Sequence, residues 1–372
     1  MRPSSGRPEG MVFMGDKVLI GMSGGVDSSV AALLLRDEGY DCVGVTLKLY
    51  ANETIRAGQK TCCSLEDVED ARSAAFRLGM PHHVFNASEL FEEKVIRHFV
   101  ATYEAGGTPN PCIECNRWVK WDRMRYYAGA LGADFIATGH YARIAEYNGH
   151  IYLQTAADTR KDQTYFLWML TEENLRQTIF PLGGLTKTEV RKIAAEHGFE
   201  KLSKKTESQE ICFVPDNDYR SFLSKQGCRF TAGNYVDKEG NTLGKHEGYP
   251  NYTIGQRKGL GIALGEPRYV SRIDAGRNEV TLASHDDLYA NRIKAMNVRI
   301  RDWEWLHDDP QVEVRIRYRS QAVPACIEEQ SSDETQLCVA TNIPVWGVTP
   351  GQSLVIYKNG LVVGGGIIAE SE

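Results

Sequence analysis

No apolar run in the 372-residue sequence approaches the roughly 20 residues needed to span a bilayer, and no basic, apolar leader precedes the body. Neither a membrane anchor nor a secreted product is expected. Positive charge is in deficit, with 43 Lys and Arg against 49 Asp and Glu, a formal net charge of −6. That balance argues against indiscriminate nucleic-acid binding and does not exclude a local cationic face. The 35 glycines follow no collagen period or low-complexity repeat. Two phosphate-binding signatures are missing, the Lys-Ser/Thr ending of a P-loop and the GxGxxG of a dinucleotide fold. Cysteine, by contrast, is not scarce. Nine in a small secreted chain would read as disulfides, whereas in a chain this long with a nucleotide loop they read as thiols of a reducing cytoplasm.

The nucleotide loop is Gly21-Met22-Ser23-Gly24-Gly25-Val26-Asp27-Ser28-Ser29. Val18–Ile20 predicts a short buried strand and Val26–Leu35 carries helical apolar spacing, so the glycines occupy the turn between them. Gly24 and Gly25 permit close approach, Ser23 and Ser28 offer hydroxyls, and the helix start adds its positive end. Asp27 would repel phosphates unless a cation intervenes, which suggests Mg²⁺ with a triphosphate. The plainer alternative is a helix cap after a glycine turn.

At this length two or three domains are expected. Residues 1–14 read as a disordered tail. Residues 15–218 alternate strand-like and helical stretches, with helices over 65–78, 91–103, 118–131 and 188–197, which predicts a parallel sheet covered by helices. In such sheets ligands sit beyond the strands' carboxyl ends. Helical periodicity then fades, and short runs between turn residues predict a small β-rich domain over 219–286. Residues 287–372 alternate: Val312, Val314, Ile316 and Tyr318 fall on one side, Glu313, Arg315, Arg317 and Arg319 on the other, and a closed β-barrel is expected.

The Ser-Gly-Gly-x-Asp-Ser loop resembles that of the N-type ATP pyrophosphatases, which adenylate a substrate oxygen and release pyrophosphate. Further stretches, Thr108–Arg117, Ala137–Ala142, Lys161–Leu167, Ser208–Phe213 and Tyr252–Ile262, make the chain from about residue 15 onward similar to the tRNA-specific 2-thiouridylase family. The resemblance implies an adenine-nucleotide-hydrolase-like (PP-loop) domain, ATP and Mg²⁺ as cofactors, and the wobble uridine of tRNAs for lysine, glutamate and glutamine as substrate. It also implies a monomer fed with sulfur by a relay protein or a cysteine desulfurase. Adenylation makes the uridine oxygen leave as AMP, and a cysteine persulfide supplies the sulfur nucleophile. A second thiol then cleaves the S–S bond. By resemblance Cys212 carries the persulfide and Cys115 resolves it. On local sequence alone Cys212 is equally a buried core thiol, whereas Cys115 follows Pro109 and Pro111 in an expected loop.

One departure stands out. Many relatives have an aspartate where this chain has Cys112, which either serves as a base, pairs with Cys115 or acts as a ligand. With Cys62 and Cys63 upstream and Cys212 downstream, the alternative is a [4Fe–4S] cluster on several thiolates. The resemblance also points to Leu47, Gly139, Asp162 and Gln163 around the nucleotide, with Gly21 and Met22 leading into the loop. His140 reads as a positioning residue. Lys187 either begins a capped helix or faces a phosphate or the RNA. Other candidate RNA contacts are Arg117, Lys120, Gln256, Arg257, Lys258 and the Arg315-Arg317-Arg319 stripe, for which a solvated strand face is the competing explanation.

Overall fold

The computed structural model describes residues 15–49, 65–204 and 211–372, so the expected tail over 1–14, Cys62 and Cys63, and the polar segment before Cys212 lie outside the described residues. The chain divides into two compact units. The first comprises Met1–Lys94, Cys112–Phe213 and Gly360–Val362, and the second Val95–Pro111, Val214–Asn359 and Val363–Glu372.

The first unit is built on strands β1 (Lys17–Gly21), β2 (Asp41–Lys48), β3 (His82–Asn86) and β4 (Phe135–Thr138), a hairpin of β5 (Arg143–Tyr147) and β6 (His150–Gln154), and β7 (Thr178–Ile179). The main sheet is parallel, in the order β3-β2-β1-β4-β7. Val18, Leu19 and Ile20 of β1 have no exposure at all, which is why the central strand reads as an unbroken apolar run with both faces covered. Helix α1 (Val26–Asp37) and helix α2 (Leu65–Arg77) follow their strands as expected. Val30, Ala31 and Leu33 of α1 share one core with Val190 and Ala194 of the helix Lys187–Glu196. The β5–β6 hairpin was not anticipated from the alternating pattern. Its signal was present in Asn148-Gly149, both at positive φ (51° and 77°), the two-residue turn that suits a tight hairpin.

The expected loop around Cys115 is corrected by the structure. Helical residues begin at Pro111, continue as a π-helical stretch over Cys115–Trp121 and run on through Asp122–Leu131, closing at Gly132 with φ 67°. Proline is tolerated in a helix's first turn, where its missing N–H would have no helical acceptor, so Pro111 marks a start and not a break. The predicted helix over 91–103 likewise extends over 88–104 through a π turn at Glu92–Ile96.

In the second unit β8 (Gly233–Val236), β9 (Thr242–His246), β10 (Tyr269–Asp274) and β11 (Glu279–Ala283) form a small sheet, ordered β10-β11-β8-β9, over Tyr235, Val270, Val280 and Leu282. Six further strands close on themselves as the expected barrel: β12 (Tyr289–Ile300), β13 (Gln311–Arg315), β14 (Val323–Gln330), β15 (Gln336–Trp346), β16 (Ser353–Lys358) and β17 (Leu361–Ser371). Their order is β12-β15-β14-β13-β16-β17, with β17 returning to β12. Gly364 and Gly366 permit that closure, because a Cβ on Gly364 would run into the Arg299 carbonyl and one on Gly366 would stand 2.9 Å from the Ala295 methyl. The arginine stripe needs correction. β13 ends at Arg315 and the chain turns, so Arg315, Arg317 and Arg319 do not line one strand face. Arg315 lies over the Tyr357 ring at 4.9 Å, Arg317 donates to the carbonyls of Trp346 and Gly347, and Arg319 is exposed.

Candidate functional site

β1 ends at Gly21, level with Val45 of β2 and Thr138 of β4, so the turn Met22–Gly25 leaves from the carboxyl edge at the centre of the sheet. Met22 is buried and donates its N–H to the Val45 carbonyl at 2.7 Å, while its own carbonyl accepts from Thr46 Oγ1 at 2.7 Å. Leu47 lies one position further along β2. The Ser28 hydroxyl accepts from Ser23 N at 3.2 Å and donates to the Gly25 carbonyl, folding the turn onto the helix start. α1 has Gly25 as its N-cap and no side-chain cap, so its first-turn N–H groups face the position an anion would take. This removes the side-chain cap as the plain alternative reading.

Two glycines let other segments close in. Gly24 has φ 71°, and a Cβ there would collide with the backbone of Asp67 in α2. Gly139, after β4, packs against the loop, where a Cβ would stand 2.7 Å from Ser28 N and 2.8 Å from the Asp27 carbonyl carbon. Gly139 thus approaches the phosphate turn itself.

Lys187 is buried and not a surface residue. Its Nζ donates to both oxygens of Asp27, at 2.8 and 2.7 Å, and Tyr141 Oη donates to Asp27 Oδ1 at 2.8 Å. Lys187 is held at the start of its helix by Asp158, which accepts from Lys187 N, and by the reciprocal Thr186–Glu189 cap. A lysine thus already supplies a positive charge beside Asp27, where Mg²⁺ was expected. Because each carboxylate oxygen retains acceptor capacity, a Mg²⁺ ion would have to share Asp27 with Lys187.

Asp162 and Gln163 brace this arrangement. Asp162 is buried and its oxygens accept from Ala156 N at 3.0 Å and Thr164 Oγ1 at 2.7 Å. Gln163 Oε1 accepts from Tyr141 N, and Gln163 N donates to the Tyr141 carbonyl, both at 2.9 Å. Tyr141 and Asp158 are the residues that sequence reasoning passed over. Tyr141 lay within a stretch already noted, but nothing local signals that its hydroxyl meets Asp27.

The thiols belong to the same unit. Cys115 is buried at the start of the π-helical stretch, Cys112 one turn earlier reaches solvent, and Cys212 is half-buried. None of the three is in a disulfide. Although Cys112 has solvent access, enclosure by the surrounding protein pushes its thiol up to about 11; the Cys212 sulfur adds to this and Lys120 opposes it. Cys112 is thus a protonated thiol near neutral pH, a weak acid with little thiolate available to act as a base or a ligand. Burial, helped by Lys120, holds His140 well below its ordinary range, so that ring is neutral, with Nδ1 2.8 Å from Thr138 Oγ1. Lys120 therefore links the electrostatics of the cysteine helix to the segment that packs on the phosphate turn. Arg117 lies over the Trp118 ring at 4.1 Å and contacts Met169 Sδ at 3.6 Å. Among the described residues no group of three or more His, Cys, Asp or Glu side chains is gathered as a metal site.

Of the second unit's candidates, Gln256 staples its own loop, accepting from Thr253 N and donating to the Lys258 carbonyl, while Arg257 and Lys258 are exposed.

A parallel sheet with an uncapped glycine turn at its carboxyl edge defines an α/β nucleotide-binding domain. Residues 16–216 match the tRNA methyl transferase HUP domain, 220–284 the tRNA methyl transferase PRC-barrel domain and 295–368 the aminomethyltransferase beta-barrel domain. The chain is 45% identical to the tRNA-specific 2-thiouridylase MnmA of Clostridium acetobutylicum, over 95% of this chain and 100% of that protein. It is 46% identical to the protein of the same name from Lachnoclostridium phytofermentans, over 95% and 99%. The chain belongs to the tRNA-specific 2-thiouridylase family. A 4-thiouridine synthetase solved with RNA and ATP overlaps 57% of this chain and 50% of its own at 20% identity, with a TM-score of 0.39.

Proposed function

We propose that this chain is an ATP-dependent tRNA thiolase that replaces O2 of the wobble uridine, position 34 in tRNAs for lysine, glutamate and glutamine, by sulfur. The observation that carries the reading is the joining, in one unit, of an uncapped phosphate turn with its Asp27–Lys187 pair and a cysteine helix whose Cys112 feels the Cys212 sulfur. The family models speak of methyl transfer and the relatives of thiolation. Thiols in the same unit as a phosphate turn favour the sulfur chemistry.

In this reading the turn residues Gly21, Met22, Ser23, Gly24, Gly25, Asp27 and Ser28 hold ATP with Mg²⁺, and Leu47 borders the adenine. The uridine O2 attacks the α-phosphorus and pyrophosphate leaves. The terminal sulfur of a Cys212 persulfide attacks C2 and AMP leaves, after which Cys115 attacks Cys212 Sγ. The thiolated base departs, and an external reductant reopens the Cys115–Cys212 disulfide. Lys187 offsets phosphate charge as Asp27 shares its carboxylate, Gly139 and Gln163 fix the geometry, and Asp162 holds the segment that carries Gln163. Arg117, Lys120, Gln256, Arg257, Lys258, Arg315, Arg317 and Arg319 are the proposed RNA contacts, of which Arg257, Lys258 and Arg319 are the exposed ones. A relay protein or cysteine desulfurase supplies the sulfur to a monomer with domains at 15–218, 219–286 and 287–372, in the cytoplasm.

A second reading rests on Cys112 standing where relatives more often have aspartate. A [4Fe–4S] cluster on Cys112, Cys115 and Cys212 would supply an iron able to bind sulfide. The three thiols as placed do not form such a donor set. Replacing Cys112 by Ala separates the two: most thiolation survives on the persulfide route, and total loss accompanied by loss of bound iron would overturn it.

A further inference from the structure

The second unit contains an open cavity of about 660 Å³, walled by residues 216–220, by Thr253–Gln256, and by Arg317 with Trp346. Two segments singled out separately in the sequence, Tyr252–Ile262 and the arginines of the alternating stripe, each reach it, through Thr253–Gln256 and through Arg317. Its walls are flat and fixed. Trp346 Nε1 donates to the His285 carbonyl at 3.1 Å, and the His285 ring stacks on the indole at 5.4 Å and 23°. Arg317 Nη2 donates to the Trp346 and Gly347 carbonyls at 2.6 and 2.9 Å, placing the guanidinium 5.6 Å from the indole centroid. Gly255, with φ 86°, lets its backbone press on the indole edge, where a Cβ would stand 2.8 Å away. Across the cavity Arg220 lies 5.8 Å from the Tyr252 ring.

The floor is different in kind. Asp216 and Asn217 are consecutive non-glycine residues in left-handed conformations, φ 54° and 57°, and both are exposed. Such backbone is costly and concentrates where side chains must be aimed. Asp218 caps the helix Tyr219–Lys225, its oxygens accepting from Ser221 N and Ser221 Oγ, which leaves the Asp216 carboxylate to repel a phosphate and accept N–H donors, while indole and guanidinium planes favour a flat ring. Arg257 and Lys258, next in the chain after Gln256, are exposed cations suited to the backbone of the same ligand.

We propose that this cavity receives one unpaired nucleobase of the bound RNA, a base other than the one that reacts. The proposal rests on the tRNA reading above. It is tested with a fluorescein-labelled anticodon stem-loop RNA whose loop nucleotides are made abasic one at a time, measuring affinity for wild type, Trp346→Leu and Asp216→Gly. Glycine suits the left-handed backbone at φ 54°, and the strain it relieves offsets the entropy it adds to the unfolded chain, so the second variant should fold about as well as wild type. One abasic position should cost wild type about tenfold and cost either variant little. Equal losses in all three proteins at every position, or no loss anywhere in wild type, would overturn the pocket. Failure of wild type to bind the hairpin at all would overturn the tRNA reading, and the pocket with it.

Discussion

The phosphate turn and the cysteine centre lie in the same unit but are fixed in opposite ways. The turn is over-determined: a contiguous run folds onto itself through Ser23 and Ser28, and Gly24, Gly139, Tyr141 and Lys187 bring three distant segments onto it. The cysteine centre places Cys112 and Cys115 on a helix with a π-helical stretch, while Cys212 comes from a turn further along the chain. Anion binding requires a preorganised cradle, whereas thiol chemistry requires a sulfur that can be reached: Cys112 meets solvent and Cys212 is half-buried, while Cys115 is buried.

Breaking the cradle should have the largest effect. Asp27→Ala is expected to abolish pyrophosphate release from ATP, and Lys187→Met to reduce it at least a hundredfold, because the carboxylate then faces phosphate without its cation. Pyrophosphate release in the presence of unmodified tRNA checks both, and near-wild-type release in either would remove the pair from the site. Cys115→Ser and Cys212→Ser sharpen the contrast from the other side: 2-thiouridine should be lost while pyrophosphate release persists. Loss of both activities in these variants would show that the two ends are not separable.

Gly139→Ala should come next. Its methyl must displace backbone at Ser28 and Asp27, costing about 2–3 kcal/mol of stability by overpacking and weakening ATP binding. Gly129→Ala, in the helix Asp122–Leu131 with nothing within 4 Å, should be neutral or gain up to about 1 kcal/mol. Thermal melts with and without ATP decide whether the difference lies at the cradle. At the thiol end, Cys112 should react with iodoacetamide roughly tenfold more slowly at neutral pH than a cysteine of ordinary acidity, because scarcer thiolate is partly offset by its greater nucleophilicity, with a midpoint near pH 11. Lys120→Met should raise that midpoint further.

The smallest effect concerns His140. Its folded pKa lies below that of the unfolded chain, so the unfolded state binds the proton first. Stability is full above about pH 6.5 and declines as pH falls below it. His140→Gln should flatten the fall in Tm between pH 7 and pH 5, and an unchanged slope would assign that decline elsewhere.

What was legible in the sequence follows the same division. Val18–Ile20, the glycine turn and α1 are local features whose pattern carries both fold and ligand, and the alternation through β13 to β17 announced a barrel. Lys187 was recognised as a residue of interest, but its partner is 160 positions away, and only the fold brings its Nζ to Asp27. Tyr141 was missed for the same reason. Cys115 was expected in a loop because two prolines precede it, yet Pro111 begins a helix, a placement that a proline permits and sequence spacing alone does not reveal. The arginine stripe failed because period-2 alternation continues in the sequence after the strand has ended at Arg315.

The most direct test is 2-thiouridine formation by iron-free protein preloaded with persulfide, given ATP, Mg²⁺ and unmodified tRNA, with nucleosides read by mass spectrometry. Thiolated uridine is expected together with released pyrophosphate. Pyrophosphate without thiolated product would contradict the persulfide step, and neither product would contradict the assignment of this chain as a tRNA thiolase.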